Sequence, residues 1–189
     1  MQRHPLDRPW CEELVLDDQR HVLVRPIEPA DAEPLRHGFS LLSPEEVRLR
    51  FLHPMSELTP ALARQLTELD PARAFALVVA EPGPAGQSLI GAVVRASIEP
   101  GQRRAEFAII VGRLLAGQGL GRLLMKKIIR WARLKRLDEL FGDVLADNAQ
   151  MLALVRGLGF HVEPLAGEPG LARVRLDLRR GRNGKPTRA

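Results

Sequence analysis

The stretch Ala105-Glu106-Phe107-Ala108-Ile109-Ile110-Val111, Gly112-Arg113-Leu114-Leu115, Ala116-Gly117-Gln118-Gly119-Leu120-Gly121-Arg122 orders the rest of the chain. Its first part is a near-continuous apolar run, which reads as a strand, and its last part opens a long basic helix. Gly117, Gly119 and Gly121 fall at alternate positions on the junction between them. Such a junction leaves backbone N–H groups uncovered, and a helix N-terminus adds a partial positive charge. Glycines hold no side chain against an approaching anion and accept positive φ without strain. The stretch therefore reads as a cradle for a pyrophosphate, with the amides of Gly117, Gln118, Gly119, Leu120, Gly121 and Arg122 as donors.

Working backwards, residues 88–98 form a strand, and Glu99-Pro100-Gly101-Gln102 turns it into the strand at 104–111. Residues 74–80 are almost uniformly apolar, and Glu81-Pro82-Gly83-Pro84-Ala85-Gly86 breaks that run into a hairpin. The glycine loop is thus fed by an antiparallel meander, unlike the parallel βαβ unit of a dinucleotide-binding fold. Further upstream, Pro29-Ala30-Asp31 opens a helix, and Ser43-Pro44-Glu45-Glu46 combines an N-cap, a first-position proline and a capping box. Thr59-Pro60 starts a third helix, running to residue 69. Two short strands, 13–16 and 21–26, precede these helices, within or just after an N-terminal extension over 1–20.

Working forwards, residues 120–137 place apolar side chains at 120, 124, 128, 131 and 134, with Arg122, Lys126, Lys127, Arg130, Arg133, Lys135 and Arg136 on the remaining, solvated face. Residues 140–145 form a strand, Asp147-Asn148 caps a helix through 155, and Gly157-Leu158-Gly159-Phe160 turns into another strand. Residues 171–178 close the sheet.

At 189 residues, 45% apolar and 27% charged, the chain suits one α/β core. No apolar run approaches the ~18 residues of a membrane span, and Met1-Gln2-Arg3-His4-Pro5 lacks the apolar segment of a signal peptide, so a cytoplasmic protein is expected. Cys11 is the single cysteine, which excludes an internal disulfide and a cysteine-rich zinc site. His4, His21, His37, His53 and His161 are dispersed without ligand spacing, so no metal is expected. The net charge of +5 is matched by Arg179, Arg180, Arg182, Lys185 and Arg188 at the C-terminus, where no acid occurs. Residues 179–189 read as a basic disordered tail, and residues 1–178 as a nearly neutral folded domain. With no tyrosine and aromatic residues at 4%, base-stacking surfaces are scarce, and nucleic acid is not the expected partner. Trp10 and Trp131 suit packing.

This order of elements resembles the Gcn5-related N-acetyltransferase (GNAT) family over residues 20–178. The phosphate-loop pattern of that family is matched at Gly119 and Gly121, with Ala116 where the family carries Gln or Arg. A second match is Asn148, with Met151 and Leu152 behind it, leading to Leu158-Gly159-Phe160. The resemblance implies that Asn148 and Met151 lie beside the pantetheine arm of coenzyme A. It also places Val155 where the family often has a tyrosine that protonates the leaving thiolate. A third match, Ala105-Glu106-Phe107-Ala108 together with Ser43, Arg48-Leu49-Arg50-Phe51 and residues 77–80, is similar to the acetyltransferase domain of bacterial protein-lysine acetyltransferases. What the family implies is a single α/β (α+β) domain with a mixed, mostly antiparallel sheet of about six to seven strands. That sheet is flanked by helices and splayed between its fourth and fifth main strands.

The implied reaction is transfer of an acetyl group from acetyl-CoA to a primary amine in a ternary complex. An alkylamine is mostly protonated at neutral pH, so a group must accept its proton. Glu106, on the strand just before the loop, is the candidate general base, and it holds that role in the protein-lysine subgroup; the alternative is a glutamate facing solvent or paired with Arg104. Glu99 and Asp147 are the other candidates. A thiol pKa of about 8.5 makes the thiolate a workable leaving group without a dedicated acid. Backbone donors at Ile110 and Val111 would hold the thioester carbonyl, and the gap towards residues 143–146 would take pantetheine as though it were a strand. Arg122 or Lys126 would add charge near a phosphate. A protein lysine is the first expected acceptor. The alternatives are a small-molecule amine, a non-catalytic CoA-binding regulatory module, and a nucleic-acid binder acting through the basic tail.

Overall fold

The computed structural model describes residues 1–179. Nine strands build one sheet: β1 (Gln2–Pro5), β2 (Glu12–Val15), β3 (His21–Pro26), β4 (Ala74–Ala80), β5 (Ile90–Ile98), β6 (Arg104–Val111), β7 (Glu139–Leu145), β8 (His161–Pro164) and β9 (Leu171–Asp177). They lie in the order β1-β2-β3-β4-β5-β6-β7-β9-β8. Every neighbouring pair is antiparallel except β6 and β7, which are parallel. The sheet has more than the expected six to seven strands. The segment taken as an extension supplies β1 beside the expected β2, and the expected strand after Phe160, β8, forms the far edge. All four residues of β1 are exposed, so no apolar alternation marks it as a strand.

Five helices, α1 (Ala32–Ser40), α2 (Pro44–Phe51), α3 (Pro60–Thr67), α4 (Leu120–Leu134) and α5 (Ala149–Arg156), cover the sheet. A 3-10 turn over Pro29–Asp31 leads into α1. The α2 start forms as the sequence predicts: Ser43 Oγ accepts from Glu46 N–H, and Glu46 reaches back to Ser43 N–H. Helix α3 ends at Thr67, two residues short of expectation.

Pairing registers divide the side chains between two faces. One face carries Leu77 and Val79 of β4, Val94 and Ala96 of β5, and Ala105 and Phe107 of β6, all buried in one cluster with Leu124, Ile128 and Trp131 of α4. Trp131 stacks on Phe75 with ring centroids 5.7 Å apart, and Trp10 packs on the same ring at 5.1 Å. Leu134, expected on the buried stripe, is exposed in the last turn of α4, while Leu123, Met125 and Ile129 widen the buried face. The other face receives α1, α2 and α3 over Val78, Ala80 and Ile90. Burial on both sides explains why β4 is apolar throughout.

The N-terminal hairpin is fastened by charge. Glu12, only 3% exposed, is met by Arg3 Nη2 at 2.7 Å and by Lys127 Nζ of α4 at 2.9 Å. Burial alone would raise the Glu12 carboxyl, and hydrogen bonds from Lys127 and Arg3 reverse that and hold it below the ordinary value. Lys127 therefore leaves the solvated basic face on which the sequence placed it.

The expected basic tail, 179–189, lies outside the described residues from 180 onward; Arg179 pairs with Asp177. Among the described residues no helix is long and apolar enough to cross a membrane.

Candidate active site

The site begins where β6 and β7 part. Their parallel ladder has three rungs, Arg104 with Glu139, Ala105 with Leu140 and Glu106 with Phe141. Beyond Glu106 the strands separate, and this is the splay expected between the fourth and fifth main strands. Gly142 sits at the vertex, where a Cβ would stand 3.0 Å from both the Phe107 carbonyl oxygen and its ring. Absence of a side chain there lets β7 close on β6 before diverging.

The phase of the β5–β6 ladder decides which backbone groups enter the gap. Gly112 N–H donates to Gly91 O at 2.9 Å, and the register runs without a shift from Val111 back to Ala105. In an antiparallel ladder alternate residues bond the neighbour. Ala108 and Ile110 therefore turn their N–H and C=O groups to β5, whereas Ile109 and Val111 turn theirs into the gap. Of the two residues named from the sequence, Val111 thus turns its backbone groups into the gap and Ile110 turns its own to β5.

Beyond Val111 the chain makes a 3-10 turn over Arg113–Leu115 and enters the glycine loop. Gly117 (φ +77) and Gly119 (φ +76) are left-handed, and a Cβ at either would meet nothing within 4 Å. The absence of side chains here answers to backbone conformation and leaves the space in front open. Gly121 is helical, and a Cβ there would touch Leu154 of α5 at 3.4 Å. Leu123 N–H makes the first helical bond, to Gly119 O. The six preceding N–H groups, Gly117 to Arg122, have no acceptor among the described residues, and no acid occupies the first turn of α4. Six consecutive donors without acceptors among the described residues, at the positive end of a fifteen-residue helix, are the arrangement to which an anion is attracted. The loop is braced by the N-terminal hairpin: Asp17 N–H donates to Gln118 Oε1 at 3.1 Å, and Arg20 Nη2 donates to Leu114 O at 2.6 Å. Arg122 Nη2 donates to Gly157 O at the end of α5 (3.0 Å), while Lys126 is exposed.

Glu106 is exposed, on the face opposite α4 and at the vertex of the gap. It is not paired with Arg104, whose guanidinium goes to Glu99. Asp147 is engaged by Arg48 at 3.0 Å, so both other acidic candidates carry ion pairs. The Glu106 carboxylate has no hydrogen-bond partner among the described residues. Three arginines feel its charge: Arg50 of α2, Arg95 of β5 and Arg173 of β9.

Helix α5 lines the other side of the cleft. Asn148 Oδ1 caps it by accepting from Met151 N–H at 3.0 Å, and the Asn148 amide NH₂ has no acceptor among the described residues. Met151 is half-buried against the core. Val155, in the slot where the resembling family often has a tyrosine, is fully buried in the core.

Helix α2 straddles the opening. Its Glu46 accepts from Arg113 N–H, after β6, at 2.7 Å, and its Arg48 reaches Asp147, after β7. Beneath it, between α1, α2 and strands β4 to β6, lies a cavity of about 170 Å³ lined mainly by apolar side chains such as Phe39, Leu58, Ile90 and Val93. Arg50 and Arg95 also line it, and Ile110 and Gly112 connect it to the end of β6. Burial pushes the Arg50 guanidinium down to about 10, with repulsion from Arg95 adding and Glu106 opposing. Burial lowers Arg95 in the same direction, again opposed by Glu106. Sequence reasoning noted Arg50 within a motif and passed over Arg95; their meeting depends on strand register and helix docking. A basic residue inside β5, whose only other polar side chain is Ser97, was the available signal. Among the described residues no three His, Cys, Asp or Glu side chains gather as a metal site would require.

The family described as acetyltransferase (GNAT) domain matches residues 21–161. An acetyltransferase of Pseudomonas aeruginosa is 35% identical over 153 residues, covering 80% of each chain. Among solved structures, the GNAT domain of Streptomyces lividans PAT superposes with a TM-score of 0.77 at 25% identity, over 92% of this chain and 99% of that one. Spermidine N-acetyltransferase from Vibrio cholerae, solved with CoA and spermine, superposes with a TM-score of 0.66 at 19% identity, over 86% and 98%.

Proposed function

The chain belongs to the GNAT acetyltransferase family and is an acyl-CoA-dependent N-acyltransferase; from that premise we propose that it moves the acetyl group of acetyl-CoA to a primary amine, with Glu106 as general base. The observation that carries the reading is the placement of an unpaired carboxylate at the vertex of the β6–β7 gap, with six free amides at the gap's far end.

In this reading the amides of Gly117 to Arg122 bind the pyrophosphate, and pantetheine lies between β6 and β7 as an added strand, bonded to Ile109 and Val111. Asn148 offers its free NH₂ to the same arm, and Met151 packs beside it. The thioester then lies near Glu106. Glu106 takes a proton from the ammonium, directly or through water, and the freed lone pair attacks the thioester carbonyl carbon. The C–S bond breaks, the acetyl group stays on nitrogen, which sheds its second proton to solvent, and the thiolate takes up a proton from solvent. No covalent enzyme intermediate is formed. No tyrosine exists in the chain to serve as the acid.

Two acceptors have support. A protein lysine is favoured by the likeness to the GNAT domain of PAT over nearly its whole length. A small amine is favoured by the cavity beneath α2, which has the volume of a single side chain. Thiol release from acetyl-CoA, measured with a panel of amines and lysine peptides, tests the proposal. Acetyl-CoA-dependent release with at least one amine, lost in Glu106→Gln, is expected; binding of acetyl-CoA with no turnover on any amine would leave a CoA-binding module instead.

A further inference from the structure

Three arginines line the cavity: Arg113 lies 4.0 Å from Glu46, whereas Arg50 and Arg95 make no hydrogen bond or ion pair among the described residues. Their neighbours are differently placed: Arg173 is spent on Asp143, Arg104 on Glu99, and Arg48 on Glu45 and Asp147. The close partner of Arg50 is the Phe51 ring, 4.7 Å from its guanidinium carbon. Both cations are half-buried, each is lowered by burial, and Arg95 repels Arg50. Two unpaired like charges against apolar walls are costly unless an anion completes them. Glu106 balances them at a distance without touching either.

Register sets the scale of what would fit. Arg95 pairs with Ala108, and Ser97 pairs with Glu106, so Arg95 and Glu106 are diagonal neighbours on one face. Diagonal neighbours in a sheet lie about 7–8 Å apart at the backbone. A ligand that places an amine at Glu106 and an anion at Arg95 must carry the two groups only a few atoms apart. Beyond Arg50 and Arg95, and apart from Arg113 and Glu46, whose carboxylate already accepts from Ser43 N–H and Arg113 N–H, the side chains of the cavity are apolar, and its volume of about 170 Å³ exceeds the ~150 Å³ that holds a benzene ring. A lysine ε-ammonium or a polyamine would instead enter as a further cation beside two others.

Resting on the acetyl-transfer reading above, we propose that the acceptor is a free α-amino acid with an apolar side chain: its carboxylate is bound by Arg50 and Arg95, its side chain fills the cavity, and its α-amine faces Glu106 and the thioester. The planar fork of arginine suits a carboxylate, and water exclusion strengthens the contact.

The test compares amino acids with the same molecules lacking the carboxylate: free leucine against 3-methylbutylamine, and phenylalanine against phenethylamine. The wild-type protein is expected to use the amino acids with kcat/KM higher by about tenfold to hundredfold, the range for hydrogen bonds to a charged group. In Arg50→Gln and Arg95→Gln that ratio falls to near one. Arg95→Lys, which keeps the charge and loses the fork, falls between, and thermal melting of all three variants separates loss of the site from loss of the fold. Calorimetric titration of leucine into the CoA-bound protein reads the same site without turnover and loses about tenfold in affinity in either Gln variant. Turnover of other amines with no arginine-dependent preference for the carboxylate overturns the amino-acid site while the acetyl-transfer reading stands. Arginine-dependent binding of leucine with no thiol release on any amine does the reverse. A wild-type preference for succinyl-CoA over acetyl-CoA that vanishes in the Gln variants assigns the pair to the acyl donor and overturns the proposal.

Discussion

Glu106 and Phe141 form the last rung that β6 and β7 share, so the carboxylate stands at the point from which the two strands diverge. The Phe141 ring is flanked by the guanidiniums of Arg104 and Arg173, centred 5.1 Å and 5.2 Å from it, and both are tied to acids of their own. This rung holds the strand beneath Glu106 while leaving the carboxylate free. Replacing Glu106 with Gln keeps the shape and removes the proton acceptor. The expected result is a fall in kcat of about 10²–10⁴ with acetyl-CoA affinity nearly unchanged, read by thiol release and calorimetry on the same preparations. Normal turnover in the variant would end the general-base assignment.

Gly119 separates ligand binding from packing, because a Cβ there meets no protein atom within 4 Å. Gly119→Ala carries the strain of a left-handed alanine, about 1 kcal/mol, and little else. Gly119→Glu adds a carboxylate to the positive end of α4, which favours the helix and repels a pyrophosphate. Acetyl-CoA binding is therefore expected to weaken by tenfold or more in Gly119→Glu, about an order of magnitude in Kd, without a matching drop in melting temperature. Unchanged affinity would refute the loop assignment.

The parts of this site that were legible in the sequence are those fixed by neighbours in the chain. Ser43, Pro44 and Glu46 announce α2 because a capping box closes within one turn, and the glycine loop announces itself because its donors are consecutive. What stayed hidden joins distant segments. Arg50 shares a cavity with Arg95 only because α2 packs on β6, the neighbour of β5, and Glu12 meets Lys127 across 115 positions only because the β2 strand is brought against α4. Strand β1 was illegible for another reason: it is an edge, exposed along its length, and no alternation is imposed on it. Leu134 misled because its spacing continues the apolar stripe, although the helix ends there in solvent.

Asn148 does two separable things. Its Oδ1 caps α5 at Met151 N–H, and its NH₂, with no acceptor among the described residues, is the donor proposed for pantetheine. Asn148→Ala removes both, with an expected loss of about 1 kcal/mol of stability. Asn148→Asp retains the cap oxygen and removes only the donor. Melting temperature is expected to survive in the Asp variant while acetyl-CoA affinity falls by up to about tenfold, the worth of one hydrogen bond. Full affinity in the Asp variant would confine Asn148 to capping.

Asp31 ties the start of α1 to β3 and to the connection between β4 and β5, and its titration gives the fold a pH limit. It is fully buried and accepts from Arg25 Nη1 at 2.6 Å, Arg25 Nη2 at 2.8 Å, Glu28 N–H at 2.9 Å and Gly86 N–H at 3.2 Å. Burial alone would raise its carboxyl; the Arg25 guanidinium and the two backbone donors overcome that and hold it below its ordinary 3.8. A carboxyl lowered by folding contributes stability that is fully present above its unfolded value and is lost as pH falls through the folded one. Urea midpoints should therefore decline as pH drops below 3.8, with Glu12, lowered in the same sense, adding to the slope. Asp31→Asn leaves the Arg25 charge buried and unpaired, at an expected cost of about 3–5 kcal/mol at neutral pH, and flattens the acid decline. Because Asp31 leads directly into α1, which walls the cavity, the variant should raise the acceptor KM more than the acetyl-CoA Kd; an equal loss on both sides would mean that the pair supports the whole fold and not this wall in particular.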